Sequence, residues 1–168
     1  MMFDLLLGVF ILFLVLAVLA SLWQQNWDSI EREEQVREQR FHAQQALDSL
    51  LRFSGTPSNW QNQNCTTGVA LSNVSLLGLG YRDRVLDSKK LSCLFALLAD
   101  WNASSPASYA SAKSILQLEG FEFGLRVVQS GSDQNSGYMS KANTEVVVLQ
   151  RVANVNGGDA NVELRVFR

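Results

Sequence analysis

The sequence predicts an α+β protein in which a long N-terminal helix packs, by its C-terminal half, on a head of two short helices and a three-stranded antiparallel sheet. Two observations predict it. An uncharged apolar run, Leu5 to Leu22, passes without a proline into a charged stretch rich in helix-forming residues. Later in the chain, apolar residues recur first at helical spacing and then at every second position. We therefore expect an apolar transmembrane helix at 1–23, a stalk helix at 24–53 and a head domain at 54–168.

The apolar run is long enough to cross a membrane. Residues 3–22 would form a helix of roughly 30 Å, which matches the hydrocarbon thickness of a bilayer. Trp23 and Trp27 follow one helical turn apart, and indole rings favour the membrane interface. A cleaved secretory signal is the alternative, because Val18-Leu19-Ala20 before Ser21 has the small residues of a cleavage site. Against it, the run is longer than a signal's apolar core of about 7–15 residues and no Lys or Arg precedes it.

Asp4 is the one acid at the start of this helix. A carboxylate there interacts favourably with the helix dipole while remaining close to lipid headgroups. Alternatively, it pairs with the amino terminus of a neighbouring subunit in a bundle of such helices. The residues themselves leave both roles open.

Two sequence signals disagree about which side of the membrane the head occupies. Arg32, Arg37 and Arg40 follow the apolar run and no Lys or Arg precedes it, so the positive-inside rule alone places the head in the cytoplasm. Two cysteines, several glycosylation sequons and a very short N-terminal segment favour the opposite side. We expect a single-pass membrane protein with its head outside the cytoplasm, at the cell surface or in a filament.

The stalk changes character along its length. Residues 24–40 lack Gly and Pro, so the helix should continue, and its polarity on almost all sides from Glu31 to Gln39 indicates exposure to water. The only histidine, His42, is expected to be an exposed helical residue. The breakers Ser54-Gly55-Thr56-Pro57 predict a helix end near Phe53. Before that end, a stripe that can dock on the head consists of Phe41, Ala43, Ala46, Leu47, Leu50 and Leu51.

The head should begin irregularly, from Thr56 to Gly80, and then form helices at about 87–99 and 106–118. Asp87 is the expected N-cap of the first helix and Lys89-Lys90 a solvated pair, while Pro106 opens the second helix and Gly120 ends it. Alternating patterns predict strands at about 121–128, 145–152 and 160–167, with a loop at 130–142. Asn156-Gly157-Gly158-Asp159 predicts a hairpin turn, so these strands should pair antiparallel.

Cys65 and Cys93 are the only cysteines. Outside the cytoplasm they are expected to form a disulfide, and the alternative is two unrelated buried thiols. N-glycosylation sequons begin at Asn64, Asn73 and Asn102. Asn64 is a poor acceptor if its neighbour Cys65 is bridged.

No constellation of residues indicates catalysis. A positioned base is most often histidine, and the single His42 lies on the stalk. The sequence shows no phosphate-binding glycine loop and no cluster with metal-ligand spacing. The net charge is −2 and the sequence has no basic stripe, so nothing in it indicates electrostatic binding to nucleic acid. We therefore expect no enzyme, cofactor, metal site, nucleic-acid partner or evident small-molecule substrate, and expect as partners membrane lipid and related subunits that contact the N-terminal helix.

Three local sequence patterns accompany the predicted helices and strands. They are Ser54-Gly55-Thr56-Pro57-Ser58-Asn59-Trp60, then Gly78-Leu79-Gly80 ahead of Leu86-Asp87-Ser88-Lys89, and the hairpin from Val146 to Phe167 with Gly157-Gly158 at its tip. With the apolar helix, its one acid and its amphipathic continuation, they resemble archaeal type IV pilin-like surface proteins. The resemblance implies that the apolar helices bundle into a filament core, or anchor a subunit awaiting assembly, with Asp4 aiding assembly.

This resemblance implies a structural or adhesive subunit of a surface filament, a pilus. Pilin precursors carry a short basic leader, so we expect either a start farther upstream or a pilin-derived anchor that is never processed. The alternative function is a single-span accessory subunit of a secretion or surface-appendage machine, which stays in the membrane and binds a protein partner. A deep head cavity lined by paired carboxylates would instead favour a membrane-tethered enzyme or ligand-binding domain.

Overall fold

The protein is α+β. A computed structural model describes residues 2–62, 65, 71–102, 107–139 and 145–168. Its helices are α1 (Met2–Arg52), α2 (Ser88–Leu98) and α3 (Ala107–Ile115), with 3-10 turns at Trp60–Asn62 and Ala99–Asn102. Its strands are β1 (Gly80–Arg82), β2 (Val85–Leu86), β3 (Glu122–Gln129), β4 (Ser132–Gly137), β5 (Val146–Val155) and β6 (Gly158–Phe167). The chain divides into two compact units, 1–38 and 39–168.

The first unit is helical. Its described side chains are exposed from Leu7 to Trp27, and large apolar side chains such as Phe10 and Phe13 remain 65% and 66% exposed. The run is apolar on all sides and carries no polar stripe, a composition that is normally surrounded by protein or lipid.

The second unit contains a mixed six-stranded sheet with strand order β1-β2-β5-β6-β3-β4. The three predicted strands are its centre, where β6 pairs antiparallel with both β5 and β3. The predicted three-stranded antiparallel sheet is therefore only part of the observed sheet. Strand β2 pairs with β5 in parallel, and β4 pairs with β3. Strand β4 lies within the segment predicted as a loop. Its sequence, SDQNSG, is polar on both faces because it forms an exposed edge of the sheet.

The turn between β5 and β6 follows from its sequence. Asn156 and Gly157 both adopt positive φ, 52° and 84°, as a two-residue type I′ turn requires. The side chain of Asn154 accepts a hydrogen bond of 2.9 Å from the Gly157 amide. The predicted hairpin is thus confirmed, and its strands run closer to the turn than predicted.

The end of α1 completes the core of the second unit. Gln39 Nε2 donates a 2.6 Å hydrogen bond to the Val166 carbonyl of β6. The prediction that Phe41 belongs to the docking stripe is wrong, because its side chain is 63% exposed. His42 is half-buried rather than exposed, with its ring 5.9 Å from that of Phe121. The other five members of the stripe are buried, as predicted: Ala43, Ala46, Leu47, Leu50 and Leu51.

The two short helices are present with shifted ends. The side chain of Asp87 accepts from the Lys89 and Lys90 amides and caps α2, as predicted. Lys90 is buried rather than solvated, and its ammonium donates a 2.6 Å hydrogen bond to the Ser54 carbonyl. Helix α3 ends at Ile115, earlier than predicted, and Gln117 then turns the chain with a φ of 56°. The predicted start at Pro106 lies outside the described residues.

A set of contacts at the C-terminal end of α1, which we call the helix-end clamp, joins α1 to the segment 78–84. The last carbonyls of a helix lack partners within it. Here the Leu79 amide donates to the Leu50 carbonyl at 2.8 Å, and the Gly80 amide donates to the Phe53 carbonyl at 2.9 Å. The buried Trp60 closes the clamp, because its indole N–H donates to the Gly78 carbonyl at 3.0 Å.

Glycine is required where the clamp is tightest. A Cβ atom at Gly78 would lie 2.2 Å from the Phe53 carbonyl oxygen, and one at Gly80 would lie 2.9 Å from that of Leu51. Both obstacles are backbone atoms, which cannot rotate away as a side chain can.

The outer face of the sheet buries a carboxylate. Glu163 is 7% exposed and accepts hydrogen bonds from Arg165 and, at 2.8 Å, from Gln150. Burial opposes its ionisation, but these bonds and the charges of Arg165 and Arg126 outweigh burial and hold the pKa of Glu163 below its usual value near 4.5. Nearby, Arg126 forms a two-pronged ion pair with Asp133, at 2.9 and 2.6 Å.

We predict that Gly78→Ala lowers the free energy of unfolding by about 3 kcal/mol, the upper end for overpacking, because the new methyl meets fixed backbone. Gly157→Ala is the matched control, because its Cβ would meet open space and only the positive φ is strained. That strain costs about 1 kcal/mol. Chemical denaturation in detergent micelles, followed by near-UV circular dichroism, measures both, and equal losses would show that the clamp is not tight.

We predict that Glu163→Gln lowers the free energy of unfolding at pH 7 by about 1–3 kcal/mol, as for other buried charged hydrogen bonds. A carboxyl whose pKa is lower in the folded state stabilises fully above its unfolded pKa, and this contribution is lost as the pH falls through the folded value. The wild type should therefore lose stability more steeply than the variant below pH about 4.5. Glu145→Gln, at an exposed position, is the control and should follow the wild type.

Candidate functional site

The apolar part of α1 is the first candidate site. An 18-residue window within it reaches a mean hydropathy of 2.4, and none of that window is buried. By length and composition this helix can cross a membrane. A soluble core helix of the same composition would be mostly buried, which leaves a signal sequence as the other class of segment that fits.

Two of the predicted anchor residues lie together. Trp23 and Trp27 are 68% and 52% exposed, and their ring centroids are 6.4 Å apart on one side of α1. Exposed tryptophans next to an apolar span are typical of a membrane interface. Asp4 belongs to α1, but its side chain lies outside the described part of the chain, so its role in assembly stays a prediction.

The predicted disulfide is present. Cys65 and Cys93 are bonded, with their Cα atoms 5.2 Å apart and 28 positions apart in sequence. The bond connects the irregular segment after α1 to helix α2, whose inner face belongs to the core. Two of the sequon asparagines, Asn73 and Asn102, are exposed, and Asn64 lies outside the described residues. Glycosylation itself stays a prediction.

Another candidate site, not predicted from the sequence, is a cleft of about 540 Å³ beside α3 and β3, which we call the aromatic cleft. Trp101 and Tyr138 line it as half-buried rings packed edge to face, with centroids 5.2 Å apart. Its other lining residues include Tyr109, Lys113, Glu119 and Glu122.

The floor of the aromatic cleft is fixed by Tyr109. The Tyr109 hydroxyl donates to the Phe123 carbonyl at 2.9 Å and accepts from the Phe123 amide at 2.8 Å. The hydroxyl therefore pairs with both backbone polar groups of Phe123 in β3. Burial raises the pKa of Tyr109 well above its usual value of 10. This hydroxyl is therefore a structural group with both hydrogen-bonding functions already used.

The charged groups of the aromatic cleft are preorganised. The ammonium of Lys113 lies 2.7 Å from a carboxylate oxygen of Glu122, and the two side chains are 18% and 43% exposed. The same ammonium lies 5.8 Å from the centre of the Tyr109 ring. Glu119 is exposed and accepts a 2.7 Å hydrogen bond from the Ser114 hydroxyl. Within the described residues, no three His, Cys, Asp or Glu side chains are grouped so as to hold a metal ion.

Comparison with known proteins adds no family to this picture. No family model matches the chain, and no curated protein or solved structure matches it.

We predict that removing the disulfide, in the double variant Cys65→Ser with Cys93→Ser, lowers the free energy of unfolding by roughly 3–4 kcal/mol, because the unfolded chain regains the entropy of an open loop. Denaturation with and without a reductant measures it. The wild type in reductant should match the variant, and the variant should not respond to reductant. Equal stability of oxidised and reduced wild type would contradict the prediction.

Proposed function

We propose that the chain is a pilin-like, membrane-anchored extracytoplasmic protein that serves as a structural or adhesive subunit of a surface filament. The observation that carries the proposal is the exposed, uncharged run of α1 on the same helix whose last turns complete the core of the second unit. Such a run requires either lipid or other apolar helices around it. A subunit that exchanges one for the other is what filament assembly from a membrane needs.

The disulfide supports placing the second unit outside the cytoplasm. Disulfides persist in oxidising compartments and are rare where thiols are kept reduced. Cys65–Cys93 lies in the unit that would be exported. The three arginines that follow the apolar run favour the opposite placement by the positive-inside rule, so the disulfide is the observation on which this part of the proposal rests.

The test is the intact mass and N-terminal sequence of the native protein in membrane and sheared-filament fractions. The proposal predicts protein in both fractions, with the apolar run present and the N-terminus processed in the filaments. Intact protein found only in the membrane would replace this proposal with the single-span accessory subunit. Release from membranes by alkaline carbonate would contradict membrane anchoring itself.

Asp4 provides a variant for the same experiment. We predict that Asp4→Asn reduces the filament fraction several-fold and leaves the membrane fraction unchanged, because a neutral side chain no longer pairs with a neighbouring amino terminus. Glu31→Gln, at an exposed position of α1, is the matched control and should assemble normally. Normal assembly of Asp4→Asn would remove Asp4 from the mechanism.

A further inference from the structure

The aromatic cleft is the one described cavity that combines ligand-sized volume, aromatic rings and opposed charges. We propose that it binds a neutral saccharide. Its volume of about 540 Å³ lies within the range of roughly 300–1,000 Å³ typical of small-ligand sites. The proposal goes beyond the filament function, because it concerns the second unit alone and does not require assembly of the apolar helices.

The aromatic wall is held in place before any ligand arrives. The Tyr138 ring packs edge to face against the rings of Trp101 and Phe167, with centroid distances of 5.2 and 5.0 Å, so contacts with both rings restrict its movement. Phe167 is itself 1% exposed. A rigid aromatic wall presents apolar surface at low entropic cost, which suits the C–H faces of a sugar ring.

The polar wall offers both donors and acceptors. The Glu122 and Glu119 carboxylates accept hydrogen bonds, while the Lys113 ammonium donates them. Trp101 also lines the cleft, and since its indole N–H has no acceptor among the described residues, that group is a further donor for a ligand. A polyhydroxylated ligand uses both kinds of group, because each hydroxyl donates one hydrogen bond and accepts others.

The internal cation decides the charge of the ligand. An aromatic cleft with two carboxylates would suit an organic cation, but Lys113 already supplies a cation, 2.7 Å from Glu122 and 5.8 Å from the Tyr109 ring. A second cation would meet repulsion from this ammonium. A neutral, hydroxyl-rich ligand meets none, which favours it over a quaternary amine.

The test uses the full chain in phospholipid nanodiscs, without glycoside detergents, which would compete for the cleft. A printed array of neutral mono- to tetrasaccharides identifies a probe, and isothermal titration then compares the affinities of the variants for that probe.

We expect binding of at least one neutral saccharide, with Trp101→Ala weakening it about tenfold through loss of the ring surface. Glu122→Gln should weaken it as well. Tyr81→Ala removes an aromatic ring that is 72% exposed elsewhere, and it should bind as the wild type does.

A second measurement covers the case in which Trp101→Ala does not fold. The indole N–H resonance of Trp101 in the wild type, assigned by comparison with Trp101→Phe, should shift on titration with the probe saccharide. Three outcomes would overturn the proposal: no neutral saccharide bound on the array, binding that leaves the Trp101 resonance unmoved, or tetramethylammonium bound in preference to every saccharide. None of these outcomes bears on filament assembly, which is measured separately.

Discussion

The fold of the second unit depends on how the C-terminal end of α1 is closed. A helix end leaves carbonyls that must find donors, and this one lies beside the buried side chains of Leu50, Leu51 and Leu79. The segment 78–84 supplies main-chain donors to Leu50, Leu51 and Phe53. Lys90 adds an ammonium to the Ser54 carbonyl. Burial lowers the pKa of Lys90 and Asp87 partly opposes this, so the clamp includes a cation that its surroundings desolvate.

Closing the helix end in this way places the other elements. Segment 78–84 contains β1 and leads directly into β2, which adds in parallel to β5. Asp87 begins α2 directly afterwards, and the disulfide at Cys93 ties that helix to the segment after α1. The buried stripe of α1, the inner face of α2 and the inner face of the sheet therefore form one continuous core.

Features set by residues close together in the chain were predictable from the sequence, whereas contacts between distant segments, apart from the disulfide and the docking stripe of α1, were not. The cap at Asp87, the turn at Asn156-Gly157 and the apolar stripe of α1 each follow from residues close together in the chain. Strand β4 was missed because a polar edge strand has no alternating pattern. Lys90 was misjudged because its partner, Ser54, lies 36 positions away. Trp101, Lys113 and Tyr138 of the aromatic cleft come from separate segments, so no local sequence pattern predicts the cleft. The sequence shows glycines at 78 and 80, but only the structure shows that a Cβ at either position would meet the backbone.

The last turns of α1 are part of the core of the second unit, and comparison of two fragments that lack the apolar run tests this most directly. Fragment 39–168 keeps the buried stripe and the whole clamp, whereas fragment 54–168 removes both the stripe and the carbonyls that the clamp closes. Denaturation followed by near-UV circular dichroism should show a cooperative transition for 39–168, and aggregation or no transition for 54–168. A soluble 54–168 fragment that unfolds cooperatively at the same midpoint would contradict the account.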